Sequence, residues 1–327
     1  MAGQDSAEAS YASRMATILL TGGAGFIGSH QAEAFLAAGH RLLVLDSLVT
    51  GRRENVPPGA EFLHRDLSDE GLEEVLSAAG VDLVSHHAAQ ANVRVSVDDP
   101  IADAGANILG SLRLIMACRR AGVRRILFAS SGGTVYGEQR IFPCDESHPT
   151  RPTSPYGCAK LAVEQYLAAY AALGDLDPVV LRYANVYGAR QDPKGEAGIV
   201  AILAERFLTG STPRIFGDGT QTRDYVHVSD IVAANLALVA DWRPGTYNVG
   251  TGVETSLNDL YALVARELGA SPAPVHTPPV AAELARNSLD AGRLARSHGW
   301  APRLAFAEGL ARTLPYYREK YAPRARG

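Results

Sequence analysis

Cysteine is scarce in this chain. Three occur in 327 residues, Cys118, Cys144 and Cys158, scattered and without metal-ligand spacing. Such a set excludes a disulfide framework and a cysteine metal site, so no metal is expected; it suits reduced thiols in a cytoplasmic protein. Neither sign of charge dominates: 31 Lys and Arg stand against 35 Asp and Glu, a net charge of −4. That leaves no basic footprint for nucleic acid. Long apolar runs are missing too. None approaches the ~18 residues of a membrane helix, and no membrane partner is expected. The opening "MAGQDSAEASYASR" lacks the basic start and apolar stretch of a signal peptide. Residues 1–14 therefore read as a disordered tail, with Met15 an alternative start to Met1.

What is present is an alternation of strand and helix signals. "ATILLTGG" is a short apolar run ending in glycine, a buried strand. A helix follows over 25–38, then "RLLVLD", "AEFLHRD" and "DLVSHHAA" as strands two to four, with a helix over 70–79 between the last two. A long helix is expected over 99–121, a fifth strand at "RRILFASS", a helix from "SPYGCAK" onward and a sixth strand at "DPVVLRYANVYG". Ser154 can cap that helix, and Pro155 suits its first turn. Strands that are continuous apolar runs between helices argue an α/β fold with a doubly wound parallel sheet. After Gly188 the rhythm loosens into a smaller C-terminal lobe with a helix over 199–210, a Pro-rich connector "SPAPVHTPPV" and a final helix over 306–319.

"TGGAGFIGSH" follows the first strand and opens a helix, the setting that a dinucleotide fingerprint requires. Read from Gly22, the glycines Gly22, Gly25 and Gly28 allow a tight turn. They also let backbone amides around Phe26 and Ile27 approach a pyrophosphate at the helix N-terminus. Asp46 ends the second strand, where an acid binds the adenosine ribose and repels a 2′-phosphate, favouring NAD over NADP. Arg52 and Arg53 lie just beyond and could in principle accept such a phosphate.

Tyr156 and Lys160, four apart, share one face of their helix. A phenol of pKa about 10 is a poor base at neutrality, and a neighbouring ammonium favours its phenolate. Together with "DLSDE", "HHAAQANVRVSVDDP", "NILGSLRL", "LRYANVYGARQDPKGEAGIVAI" and "IFGDGTQTRDYVHVSD", these motifs carry a resemblance. Over 16–321 the chain resembles the NAD-dependent epimerase/dehydratase family, the extended short-chain dehydrogenase/reductases that act on nucleotide sugars. It is most similar to the compact UDP-glucose 4-epimerases of bacteria and archaea.

The resemblance implies a Rossmann domain over 15–188, joined by returning segments at about 224–250, and a substrate-binding lobe mainly over 189–327, interleaved with it. It implies that Asp66 and Leu67 border the adenine, that Ala88, Ala89 and Gln90 line the cofactor, and that Asn107 supports the nicotinamide side. Tyr156 would be the base and Lys160 its partner, both also touching NAD, while Asn185 and Arg223 would hold the substrate diphosphate. A homodimer packed through two long helices, including the one carrying Tyr156, is implied as well.

In this family a serine or threonine four residues before the tyrosine of "VYG" assists the base. Here that place is Gly132, and the hydroxyl must come from Ser131 or Thr134. Relatives that eliminate water need an acid pair directly after the hydroxyl, and decarboxylating relatives carry a Ser-Glu pair there. This chain has Gly132 and Gly133, and no carboxylate before Glu138. Hydride removal from sugar C4 and its return to the other face of a 4-keto sugar remain, as in UDP-glucose/UDP-galactose 4-epimerisation. UDP-glucuronate and UDP-N-acetylhexosamines stay open as substrates, and so does an NAD-binding sensor without turnover. Val280 and Glu283 replace an arginine and an aspartate that relatives use to grip the nucleotide, and Arg286 is a candidate to compensate.

Overall fold

The computed structural model describes residues 15–195, 198–270, 273–279 and 284–321. The expected tail over 1–14, together with Val280 and Glu283, lies outside the described residues.

Seven strands build the main sheet: β1 (Thr17–Thr21), β2 (Arg41–Asp46), β3 (Glu61–His64), β4 (Leu83–His86), β5 (Arg125–Ser131), β6 (Asp177–Tyr183) and β10 (Gly245–Val249). Their order is β10-β6-β5-β4-β1-β2-β3, and every pairing is parallel. Successive side chains leave a strand on opposite faces, so Ile18 and Leu20 enter one core and Leu19 the other. Helix α1 (Phe26–Ala37) and α9 (Val228–Ala240) cover the first face. Helices α2 (Leu72–Ala79), α5 (Gly110–Ala121) and α7 (Pro155–Ala172) cover the second. The order reverses between β1 and β4, the switch point at which open α/β sheets bind ligands.

A second lobe has its own core of Tyr187, Leu203, Leu260, Leu310 and Tyr317. It holds the sheet of β7 (Asn185–Tyr187), β9 (Thr222–His227) and β11 (Glu254–Ser256), and the pair β8 (Arg214–Phe216) and β12 (Val275–Thr277). Helices α8 (Ile199–Leu208), α10 (Leu257–Leu268) and α12 (Phe306–Tyr321) pack with them.

Four sequence expectations change. The single strand at "DPVVLRYANVYG" is two, because the chain leaves the main sheet at Ala184, whose amide bonds Val249 O, and β7 joins the small sheet. An unbroken apolar alternation carries no mark of such a switch. The Pro-rich connector holds β12. The long helix over 99–121 is composite: α4 (Pro100–Ala104), a π-helical turn (Gly105–Leu109) and α5. Finally, the 22-residue run Pro100–Ala121 contains an 18-residue window of mean hydropathy 1.3, long and apolar enough by composition to cross a membrane; here it packs against α2 and α7. Two short helices, α3 (Val93–Asp98) and α6 (Gly132–Val135), had no sequence signal strong enough to read.

Candidate active site

The turn after β1 is built by glycines that nothing larger could replace. Gly22 has φ +70°, and a Cβ on it would stand 2.6 Å from Ala88 N. A Cβ on Gly28 would lie 2.1 Å from Gly22 O, so this glycine seats α1 against the turn. Gly25 differs: within 4 Å its Cβ would meet only Gly22 O, at 3.2 Å. It therefore presents an open face. Phe26 turns its ring into the core and Ile27 packs beside it, leaving backbone at the helix start. The first turn of α1 has no acidic residue and no side-chain cap, so its amides are left to an anion.

Asp46 is 7% exposed at the end of β2. Its Oδ2 accepts from Ala24 N at 2.9 Å and its Oδ1 from Leu48 N at 2.8 Å, fixing the carboxylate beside the glycine turn. Arg52 is committed elsewhere, to Asp192 at 3.1 Å, and Arg53 lies over the Phe62 ring. Asp66 is exposed and closes a turn through Ser68 N, while Leu67 is buried against Gly110. A bare turn, free helix amides and an anchored acid fit a dinucleotide.

Ala88, Ala89 and Gln90 follow β4 and are half-buried. Asn107 clamps Gln90 at both backbone groups: Gln90 N donates to Asn107 Oδ1, and Asn107 Nδ2 donates to Gln90 O, each at 2.9 Å. The π turn lets Asn107 point inward, and Ser111 Oγ donates to the Asn107 carbonyl.

Beneath this lies His86, 2% exposed and not anticipated from sequence. The Ser111 proton is used on Asn107 O, so Ser111 Oγ accepts from His86 Nε2 at 2.9 Å. Thr21 Oγ1 accepts from Ala88 N and donates to His86 Nδ1 at 2.7 Å. This bond order assigns a neutral Nε2–H ring. Burial, with lesser help from Lys160 and His87, pushes its pKa down to about 3.

Helix α7 starts as its sequence predicts. Ser154 Oγ accepts from Gly157 N at 3.2 Å, and Pro155 occupies the first turn. Tyr156 is half-buried, its amide donating to Ser96 Oγ of α3 at 3.1 Å. Lys160 is 4% exposed; Nζ donates to Ala129 O at 2.9 Å and stands 5.7 Å from the Tyr156 ring centre. Burial brings its pKa down to about 8, against the opposing pull of Asp103 and Glu164. One turn further, Glu164 pairs with Arg182 at 2.6 Å and accepts from Ser130, which explains the inward-facing Ser130.

The two candidate hydroxyls lie on either side of the glycine pair. Ser131 ends β5, and its Oγ makes no hydrogen bond among the described residues. A Cβ on Gly133 would lie 3.8 Å from that oxygen and 3.3 Å from Asn185 Oδ1, so Ser131 and Asn185 both lie beside Gly133. Thr134 donates to Ser131 O at 3.4 Å and abuts Gly157, next to Tyr156. Arg223 is half-buried on β9 and donates to Thr222 O. Arg286 pairs with Glu254 and stacks 3.9 Å over the Phe142 ring.

A parallel sheet with a glycine turn at its switch point, an acid ending β2 and a tyrosine–lysine helix after β5 defines an extended short-chain dehydrogenase/reductase. The chain belongs to the NAD-dependent epimerase/dehydratase family, whose profile matches residues 18–250. It is 45% identical over 308 residues to the UDP-glucose 4-epimerase of Mycolicibacterium smegmatis, spanning 92% of this chain and 98% of that one. The UDP-glucose 4-epimerase of Thermotoga maritima, solved with UDP-glucose, superposes with a TM-score of 0.90 at 42% identity, covering 93% of this chain and 99% of the other. That of Thermus thermophilus, solved with NAD, gives 0.87 at 45% identity, with 92% and 99% covered.

Proposed function

We propose that this chain is an NAD-dependent UDP-sugar 4-epimerase, an isomerase that interconverts UDP-glucose and UDP-galactose. Its likeness to epimerases over almost its whole length supports this. The observation that carries it against its dehydratase relatives is the glycine pair beside the candidate base. The resemblance puts an eliminating acid pair directly after the helper hydroxyl, and from Ser131 up to Glu138 this chain offers no carboxylate; Gly133 lies instead beside an amide, Asn185, and a hydroxyl, Ser131.

Gly22, Gly25 and the amides of Phe26 and Ile27 would hold the NAD pyrophosphate, with Gly28 seating the helix. Asp46 would take the adenosine ribose, Asp66 and Leu67 the adenine edge, and Ala88, Ala89, Gln90 and Asn107 the nicotinamide side, with Tyr156 and Lys160 at its ribose. When bound, NAD supplies the acceptor and later donor of the hydride at sugar C4. Tyr156 takes the proton of the 4-hydroxyl and later returns one. Lys160 stabilises its phenolate; one ammonium proton goes to Ala129 O, leaving two for other acceptors. Ser131 orients the 4-oxygen, since its hydroxyl is uncommitted while that of Thr134 turns onto a carbonyl. Asn185 and Arg223 hold the diphosphate, the guanidinium as a charged fork.

The assembly we propose is a homodimer in the cytoplasm. Ile101, Leu109 and Tyr166 are 85, 51 and 43% exposed on the helices that resemblance assigns to the contact, and the three cysteines are free. Light scattering on the purified protein tests the dimer.

The test of function is proton NMR of UDP-galactose with purified protein and no added NAD. Appearance of UDP-glucose to a fixed ratio establishes a self-contained epimerase. No conversion after NAD is supplied, with UDP-glucuronate and UDP-N-acetylglucosamine equally inert, overturns the reading.

A further inference from the structure

Asp103 is a buried carboxylate with no part in the chemistry above. It sits on α4, 1% exposed, and its Oδ1 accepts from Gln90 Nε2 at 2.9 Å and Asn107 Nδ2 at 2.8 Å. Both partners are neutral amides, so nothing bonded to it cancels its charge. Helix α4 packs on α7, the helix of Tyr156 and Lys160. The same amides extend toward the base: Gln90 bonds Asn92 twice, Asn92 caps α3, and Ser96 of α3 holds the Tyr156 amide.

We propose that Asp103 is a positioning residue that acts through Lys160, as the buried counter-charge that keeps this lysine an ammonium beside Tyr156. The proposal rests on the epimerase reading above for the meaning of Tyr156.

The other groups facing Lys160 leave this task to Asp103. His86 of β4 and His87 just after it are neutral, their pKa values pushed down to about 3, mainly by burial. Glu164, on Lys160's own helix, is neutralised by Arg182 of β6, which donates to both its oxygens. Burial draws Lys160 toward the neutral amine, and Asp103 is the foremost opposing influence, ahead of Glu164. The carboxyl of Asp103 is itself raised by burial, while Gln90, Asn107 and Lys160 favour its charged form. Held by two amide donors on a helix packed against that of Lys160, the carboxylate and the ammonium each favour the other's charged form.

The test is Asp103→Asn in the NAD-loaded protein, because an asparagine oxygen can keep both amide bonds while the charge goes. Expected are a fall in kcat of about tenfold at neutral pH with KM changed less than about twofold. The high-pH limb of activity should move down by about one pH unit, because removing a negative neighbour lowers the ammonium's pKa. Separately, phenolate absorbance is titrated against a Tyr156→Phe reference, and its midpoint should move to higher pH in D103N. This readout needs no turnover, so an inert protein that shows the shift keeps the inference while the epimerase reading fails. Where D103N does not fold, Asp103→Glu and Asp103→Gln replace it, a pair alike in shape and unlike in charge. Unshifted titrations, or the same pH profile for the Glu and Gln variants, overturn the proposal.

Discussion

Leu289 lies so close to Gly132 that a Cβ on the glycine would stand 2.5 Å from Leu289 Cδ1 and 3.3 Å from Arg182 O. Leu289 itself is fully buried, its amide bonded to Asp224. The position that the resemblance aligns with the helper hydroxyl is therefore walled by Leu289, a side chain of the main-sheet core. Gly132→Ser should not improve activity. It should destabilise the protein by about 1–3 kcal/mol through overpacking, read by urea unfolding. In the double variant with Leu289→Ala part of that cost should disappear, because the cavity admits the serine. A G132S protein as stable as wild type and more active would refute this packing.

The two remaining hydroxyls separate by mutation. Ser131 Oγ lies beside Gly133 together with Asn185 Oδ1, whereas Thr134 is turned to Ser131 O. Ser131→Ala should lower kcat by about a hundredfold with substrate affinity little changed. Thr134→Ala should cost less than about fivefold. Steady-state kinetics with UDP-galactose decide it, and the reverse ranking would transfer the role to Thr134.

Features with local causes were legible before any fold was known. A strand running into Gly22, Gly25 and Gly28, an acid at Asp46, and Ser154–Pro155 opening the tyrosine helix each depend on neighbours in sequence. Asp103, His86 and Glu164 were not legible, because their meaning lies in partners brought together by tertiary folding: Gln90 and Asn107, Thr21 and Ser111, Arg182. The paired histidines of "HHAA" were visible as residues, but a histidine in a buried strand does not announce which hydroxyls satisfy it. The composite helix through Asn107 escaped for a related reason. A π turn shifts the register without altering helix-forming composition.

Asp46 offers a test of the cofactor edge. Asp46→Asn replaces one of two acceptor oxygens by a donor, leaving Ala24 N or Leu48 N facing an amino group. A buried unsatisfied amide costs about 1–3 kcal/mol, so both stability and NAD retention on gel filtration should fall. No preference for NADP should emerge, because Arg52 is tied to Asp192 and Arg53 to Phe62. Tight NADP binding by this variant would show that those arginines are more available than their pairing indicates.

His86 makes stability depend on pH with a definite sign. Its pKa is about 6.5 in the unfolded chain and is pushed down to about 3 in the fold, chiefly by burial. Between these values the unfolded state binds the extra proton, so folding stability rises with pH through this window. The contribution is complete above the unfolded value and is lost progressively as pH falls toward the folded one. At pH 5 the loss from this ring is about 2 kcal/mol relative to neutrality. Urea unfolding of wild type and His86→Gln at pH 5 and 7.5 measures it. The variant should be weaker at pH 7.5, because Thr21 and Ser111 lose their ring partner. It should also lose less than wild type on acidification, by about 2 kcal/mol. Equal losses in the two proteins would place the acid sensitivity on other groups and show that the ring can take a second proton inside the Thr21–Ser111 clamp.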